Sequence, residues 1–539
     1  MIHHPWRKAR WLLASAFLSA ATAVAASDAD AVAGSPLPSK LACSTAYTPD
    51  SVSIDYGEAG HPEHHHPVVL TPLPEGTLQA RDGDTGEELW IYAPPAALLT
   101  PDASGPLGPL QVLRFDANND GFIDREQGDR VWVYFGMRNR GGSYIALDAT
   151  SRKRISTLWV DSASILPHLA LTWAQPTVAR LRFADQSQNA EHLVVLLAGG
   201  VADPAAPADS TTGREGNRIY AVDAATGALL WSAGAAFDAD APDLVLDSMT
   251  FGLAARVVAL DLDGDGSSDR LYASDIGAQL WRIDLTNDSP RANFAAGGRI
   301  ASLGLAQALS PGTADAREFF SAPDISVVVR SEAPAYLALL IGSGNALAID
   351  SVTVQDRLYS LRDDDVFQNR TQDEFNQRLP VLDSDLILVD PQADTPASAQ
   401  GRGWKRNLRA GEKILADALT TNGVAMISSF EPFSSARPCE GTNRVYVLRA
   451  DTGRPALDLN DDSVVNLKDD SIELAQTQIA PGVRIMVRKP VETQTSTTPS
   501  ALLDAIGREV HCVVGSETLA HCAPPGAVIR TYWRRESVR

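Results

Sequence analysis

The sequence predicts an all-β fold, a β-propeller of about seven blades with irregular insertions. Three observations point there. A short theme returns along the chain: "GTLQARDGDTGEELW" ending at Trp90, "SYIALDATSRKRISTLW" at Trp159, "RIYAVDAATGALLW" at Trp231 and "RLYASDIGAQLW" at Trp281, with "RLYSLRDDD" from Arg357 and "RVYVLRADTGR" from Arg444 as shorter copies. Each copy opens on alternating apolar residues, the mark of a half-buried strand, and passes through Asp, Thr and Gly, which turn a hairpin. Glycine and proline are frequent (39 and 33) while aromatic residues make up only 6%. Repeated hairpin units stacking in a ring bury a continuous core that no unit can bury alone.

The elements follow in order. Residues 1–26 read as a secretory signal peptide: Arg7, Lys8 and Arg10, then the mostly apolar "WLLASAFLSAAT", then Ala23-Val24-Ala25 at a cleavage-site spacing. That stretch is too short to span a bilayer, and no later segment is apolar enough, so no transmembrane span is expected. Residues 27–76 read as a loose Pro/His-rich segment, 77–490 as the propeller and 491–539 as a tail with closing strands. Between Thr77 and Ile485 only 373–379 and 409–419 suggest short helices. The recurring Trp90, Trp231 and Trp281 are expected to lock blades together.

The formal net charge is −21, and loss of the signal's three basic residues takes it to −24. Such a surface repels nucleic acid and anionic lipid and suits divalent cations. Cys43, Cys439, Cys512 and Cys522 make an even set in an exported chain, so disulfides are expected. Cys512 and Cys522 flank a short turn and suggest a local pair, which would leave Cys43 with Cys439, although the other two connectivities stay open. The histidines of "HPEHHHP" (His61, His64, His65, His66) read as an exposed, adventitious metal binder.

The chemistry gathers in three acidic loops. "DLDGDGSSD" places Asp261, Asp263, Asp265 and Asp269 at positions 1, 3, 5 and 9, with Gly266 at 6. This resembles the front of an EF-hand loop, in which alternate side chains and the position-7 carbonyl (here Ser267) offer hard oxygens to Ca²⁺. Position 12 is Tyr272 and the flanks are strands, so it is a calcium loop inside a β-hairpin. "DANNDGFID" repeats the spacing with Asp116, Asn118, Asp120, Phe122 (carbonyl) and Asp124, with Glu126 and Asp129 able to complete it. "DLNDDSVVN" repeats it with Asp458, Asn460, Asp462 and Asn466, and with Asp469 at position 12, although Ser463 replaces the glycine. The plain reading of any one loop is a run of Asx-turns. Three on one spacing favour Ca²⁺, in a structural or regulatory role, since no nucleophile or base stands beside them.

Several stretches resemble the C-terminal propeller of PilY-type proteins, the tip-associated assembly factors and adhesins of type IV pili. They are "ALDLDGDGSSDRLYASDIGAQLWRIDL", "VYFGMRNRGGSYIALDAT" from Val133, "TWAQPTVARL" from Thr172, "LLAGGVAD" from Leu196, "PCEGTNRVYVLRADTG" from Pro438 and "RTYWRRES" from Arg530. They occur in the family's order from about Thr77 onward. The resemblance implies a non-enzymatic role in pilus biogenesis, twitching motility and adhesion. Its partners would be minor pilins and the pilus tip, and a host or surface ligand. Its place would be the periplasm, cell surface, pilus tip or outer membrane. The family's calcium loop falls on Asp261, Asp263, Asp265 and Asp269 with Ser267. The chain is expected to depart from the family in lacking a large von Willebrand A-like domain before the propeller, and it departs in "GGVAD" for Gly-Gly-Tyr-Asp and in having no Arg-Gly-Asp. Two other classes fit the same blades: a calcium-bearing adhesion or lectin propeller with no assembly role, and a quinoprotein-like, quinone-dependent dehydrogenase. Some of the latter use adjacent cysteines, and no two are adjacent here.

Overall fold

The computed structural model describes residues 50–521 apart from short internal stretches, the longest being 203–214, 391–400 and 489–508. The expected signal peptide, residues 27–49 and everything beyond 521 lie outside the described residues.

Seven antiparallel sheets follow one another along the chain, with 4, 4, 5, 5, 5, 4 and 3 strands. They form a seven-bladed β-propeller. The antiparallel strands of each blade add in chain order, and the third, fourth and fifth blades each gain a short parallel strand at the edge: Leu244–Val245, Val381–Leu382 and Ile387–Leu388, the last of which precedes its blade's fourth strand, Gly403–Asn407, in the chain. The first blade begins at Val52, not at the expected boundary near Thr77: Val52–Asp55 and Pro67–Pro72 supply two of its four strands. "PVVLTP" alternates half-buried and buried side chains along its whole length, a strand pattern that the surrounding prolines and histidines mask in the sequence. The seventh blade pairs Arg484–Arg488 with Glu509–Val514 and Glu517–Leu519, two strands of which come from the tail. Arg484 Nη2 reaches Asp50 Oδ2 at 2.5 Å and joins this last blade to the chain just before the first.

Buried apolar clusters lie between successive blades. Val68 and Leu70 pack with Val131 and Val133, Val194 and Leu196 with Leu271 and Ile283, and Met426 and Val447 with Cys512 and Val514. The Asp-x-x-Thr-Gly turns have a physical basis. Asp223 Oδ1 accepts the N–H groups of Ala225 and Thr226 at 3.0 and 2.9 Å, and Gly227 takes φ +73, a conformation that costs a residue with a side chain. Asp82 and Gly86 repeat this in the first blade.

Tryptophans do join blades, each reaching the last hairpin turn of the next one. Trp90 Nε1 donates to the Arg152 carbonyl at 3.2 Å, Trp159 to Ala224 at 3.1 Å and Trp404 to Ala450 at 3.0 Å. Trp231 packs edge-on against Phe294 of the next blade. Trp281 is different. Its hairpin joins the second and third strands rather than the third and fourth, and its indole donates to Asp275 Oδ2 in its own turn at 2.8 Å. A hairpin pattern reads alike at either position in a blade, so the sequence puts that copy out of phase. Gly227→Ala tests the docking. The added Cβ would sit 2.9 Å from Trp159 Cγ, whereas at Gly86 it meets nothing within 4 Å. Both positions carry the backbone strain, but only Gly227 adds a clash. The expected loss is ~1 kcal/mol for Gly86→Ala and ~2–3 kcal/mol for Gly227→Ala, read by denaturant melts.

Of the two expected helices, Gln372–Gln377 forms, capped by Thr371 and Glu374 on each other's backbone N–H. Residues 409–419 do not. Gly411 takes φ +80 and Ile414 packs against Gly342, where a Cβ would lie 2.2 Å from Ile414 Cγ1. That packing holds the stretch open as a connection between blades. No helix among the described residues is long and apolar enough to cross a membrane.

Candidate cation-binding loops

Strand direction alternates within each blade, so the first-to-second and third-to-fourth connections leave the same face of the ring. All three acidic loops are of these kinds. Residues 261–269 join the first two strands of the fourth blade, 116–129 join those of the second, and 458–469 lie between the last two strands of the sixth. The three are thus presented on one face.

They share one scaffold. The position-1 carboxylate accepts the position-6 N–H: Asp261 from Gly266 at 2.9 Å, Asp116 from Gly121 at 2.9 Å and Asp458 from Ser463 at 2.6 Å. Position 3 accepts from position 5 through Asp263, Asn118 and Asn460, at 3.1, 3.1 and 3.0 Å. Position 5 accepts from position 7: Asp265 from Ser267 at 2.7 Å, Asp120 from Phe122 at 2.9 Å and Asp462 from Val464 at 2.9 Å. The position-6 residue has positive φ each time, including Ser463 at +68. Serine therefore fills the glycine's place at a conformational cost.

Another carboxylate closes each loop by accepting the position-2 N–H, but from a different distance along the chain. These are Asp269 to Leu262 at 2.7 Å, Asp129 to Ala117 at 2.7 Å and Asp469 to Leu459 at 2.9 Å. Two expected ligands are thereby displaced. Asp124 caps a short turn through Glu126 N–H at 2.9 Å, and Asn466 caps another through Lys468 N–H at 2.9 Å. Residues inserted before the closing carboxylate coil into a 3₁₀ turn that these side chains cap, while the position-9 N–H itself donates to the closing carboxylate at 2.8 Å in both loops.

The Asp261 loop is the most strongly charged. Carboxylate oxygens of Asp261, Asp263 and Asp265 lie within 4.8 Å of one another. Oxygens bound to one Ca²⁺ at ~2.3–2.6 Å can be at most ~5 Å apart, so these fit a shared ion. Burial raises the pKa of Asp261, and its like-charged neighbours Asp265 and Asp263 add to this; burial raises that of Asp269 as well. Asp265 goes the other way. Burial alone would raise it, but the Arg182 guanidinium outweighs that and holds it below the usual carboxylate range. Arg182 Nη1 donates to Asp265 Oδ2 at 2.7 Å and to Ser267 Oγ at 2.5 Å, while its Nε meets Asp288 at 3.2 Å. It comes from the equivalent connection of the third blade, 83 residues away, and nothing local in the sequence marks it.

A buried ionic network lies behind this loop. Arg270, next to the closing Asp269, donates from Nε to Asp284 at 2.6 Å. Arg282 binds Asp284 through two nitrogens at 2.8 Å each, and Asp363 of the next blade at 2.7 Å. Tyr272 Oη and Arg370 Nη2 also donate to Asp363, at 2.7 and 3.0 Å. Arg270 and Arg282 are fully buried.

The histidines sit on the corresponding connection of the first blade. His64 Nδ1 meets Glu58 at 2.7 Å, His65 Nδ1 meets Asp55 at 2.5 Å, and the His61 and His64 rings stack at 4.9 Å. Cys439 and Cys512 each take part in a disulfide. The expected pairings run to Cys43 and Cys522, which lie outside the described residues.

No family model matches the chain. It is similar to a type IV pilus biogenesis factor PilY1 homolog of Xylella fastidiosa, 26% identical over 226 residues. That match takes in 41% of this chain and only 16% of the relative's length. Among solved structures, the C-terminal domain of Pseudomonas aeruginosa PilY1 superposes with a TM-score of 0.55 at 17% identity, covering 84% of this chain and 92% of that domain. A quinohemoprotein alcohol dehydrogenase from Pseudomonas putida HK5 reaches a TM-score of 0.37 at 10% identity, over 80% of this chain and 61% of that enzyme.

Proposed function

We propose that this chain, similar in sequence and in fold to PilY-type C-terminal propellers, is a type IV pilus biogenesis factor that works outside the cytoplasm. The observation that carries the reading is that the curated relative and the solved domain of 92% coverage are both PilY1 proteins. Its role is assembly and attachment rather than catalysis. The partners are minor pilins at the pilus tip, with a host or surface ligand for adhesion.

The Asp261 loop takes Ca²⁺ in this reading, through Asp261, Asp263 and Asp265, with Asp269 closing the turn. The ion supplies positive charge among carboxylates that otherwise repel. The protein's own part is to hold them in place: Asp269 ties the loop to the strand Arg270–Ser274, and Arg270 anchors that strand in the buried network. The face bearing the three loops then meets the partner as one ordered surface.

Affinity-tagged protein is expected to come away with sheared pili and to carry minor pilins through purification. Tagged protein found wholly in fractions free of pilins would overturn the assembly role.

A further inference from the structure

We propose that the loop 116–129 is a second, independent Ca²⁺ site, closed by Asp129 and built into the seam between the first and second blades. The decisive atom is Asp116 Oδ1. It is buried and accepts no hydrogen bond from the described residues, and the side chain that carries it is 9% exposed. Its twin Oδ2 accepts the Gly121 N–H inside the loop, so the carboxylate is turned inward. Among the described residues one cation pairs with this carboxylate, without donating a hydrogen bond to it. Arg114 Nη1 stands 3.7 Å from Oδ2, beyond hydrogen-bond reach, and the Arg114 donors go to the carbonyls of Gly121 at 2.8 Å and Asp55 at 2.7 Å. A buried carboxylate oxygen with no donor is costly unless a cation meets it.

The groups around that oxygen are hard. Asn118 and Asp120 occupy positions 3 and 5 on the scaffold shared with the Asp261 loop, and Asp129 fixes the turn through Ala117 and Asp124 N–H at 2.7 and 2.8 Å. Asn118 Nδ2 donates to Asp120 Oδ2 at 2.9 Å and to Gln127 Oε1, and Gln127 Nε2 reaches Asp124 at 3.4 Å. Oxygen donors at flexible spacing suit Ca²⁺ over smaller or softer ions. The Asp458 loop shares the scaffold without this feature, because both Asp458 oxygens accept backbone N–H groups.

The site's position gives it a task. Ile123 N–H donates to the Tyr56 carbonyl at 2.9 Å, and Gly57, at φ +62, lies so close that a Cβ there would be 2.2 Å from the Gly121 oxygen. An ion in this loop therefore firms the connection 56–66 of the first blade, which carries the histidines.

Calorimetric titration of the exported chain with Ca²⁺ tests this. Asp116→Asn is expected to remove one equivalent, both in the wild type and in an Asp261→Asn background. Asp120→Asn, at an exposed position, is expected to do the same where Asp116→Asn fails to fold. Full stoichiometry in the folded Asp116→Asn and Asp120→Asn variants would overturn the proposal, as would loss of that equivalent on Asp458→Asn instead. The choice of ion rests on the calcium reading of the Asp261 loop, yet the two can fail separately. An equivalent lost in Asp116→Asn and none in Asp261→Asn would keep this site and remove the other.

Discussion

Asp363→Ala is expected to destabilise the protein by about 3–5 kcal/mol, the usual cost of removing one partner from a buried ion pair. Asp363 receives Arg282, Arg370 and Tyr272 together, and its side chain is 4% exposed. Burial alone would raise its pKa, but the two guanidiniums outweigh this and hold it below the usual carboxylate range. Its truncation leaves the Arg282 guanidinium facing a void with Asp284 as its remaining anion. The loss therefore measures a stranded charge rather than the net worth of the pair. A combined replacement separates the two: Arg282→Met with Asp363→Leu and Tyr272→Phe is expected to recover most of the stability, since apolar groups of similar volume need no partner, while Arg370 keeps Asp365 and Asp284 keeps Arg270. Denaturant melts of the three proteins check this. The sign with pH follows from the lowered pKa. Asp363 contributes stability above the unfolded carboxylate pKa of about 3.9, and that contribution is lost as pH falls through the lower folded value.

The second large effect is Ca²⁺-dependent stability in the Asp261 loop. An ion that binds only the folded state stabilises it by about 2.7 kcal/mol per site at 100 times its dissociation constant. Asp261→Asn is expected to lose that loop's increment while folding normally in chelator, because the amide oxygen still accepts one of the two N–H bonds from Gly264 and Gly266. Mg²⁺ is expected to give a smaller shift, since it demands a tighter octahedron than a flexible carboxylate loop provides. Thermal melts with Ca²⁺, Mg²⁺ and chelator read all three. An equal Ca²⁺ shift in wild type and Asp261→Asn would exclude this loop.

What the sequence made legible is local. Hairpins, the Asp-Thr-Gly turns and the one-three-five spacing of the acidic loops are all set within about ten residues, and they led to the propeller. What it hid depends on distance. Arg182 meets Asp265 only because equivalent connections of adjacent blades touch, and the Arg270–Asp284–Arg282–Asp363 network likewise spans two blades. Register within a blade was also hidden, which is why Trp281 fell out of phase. In the acidic loops the closing carboxylates were legible, but Asp124 and Asn466 were set beside them as ligands because a fixed position-9 spacing holds only in the Asp261 loop; the closing aspartate is whichever returns beside position 2, at 269, 129 or 469. The first blade was cut short because histidine and proline hid two sound strands at Val52–Asp55 and Pro67–Pro72.

The central claim is that this propeller serves pilus assembly, and surface piliation of the parent bacterium tests it most directly. Pili are counted by electron microscopy in a strain deleted for this gene, then re-supplied with wild-type protein or with Asp261→Asn. The deletion is expected to leave few or no surface pili, wild-type protein to restore them, and the variant to fall short. A deletion strain as fully piliated as its parent would contradict the assembly role.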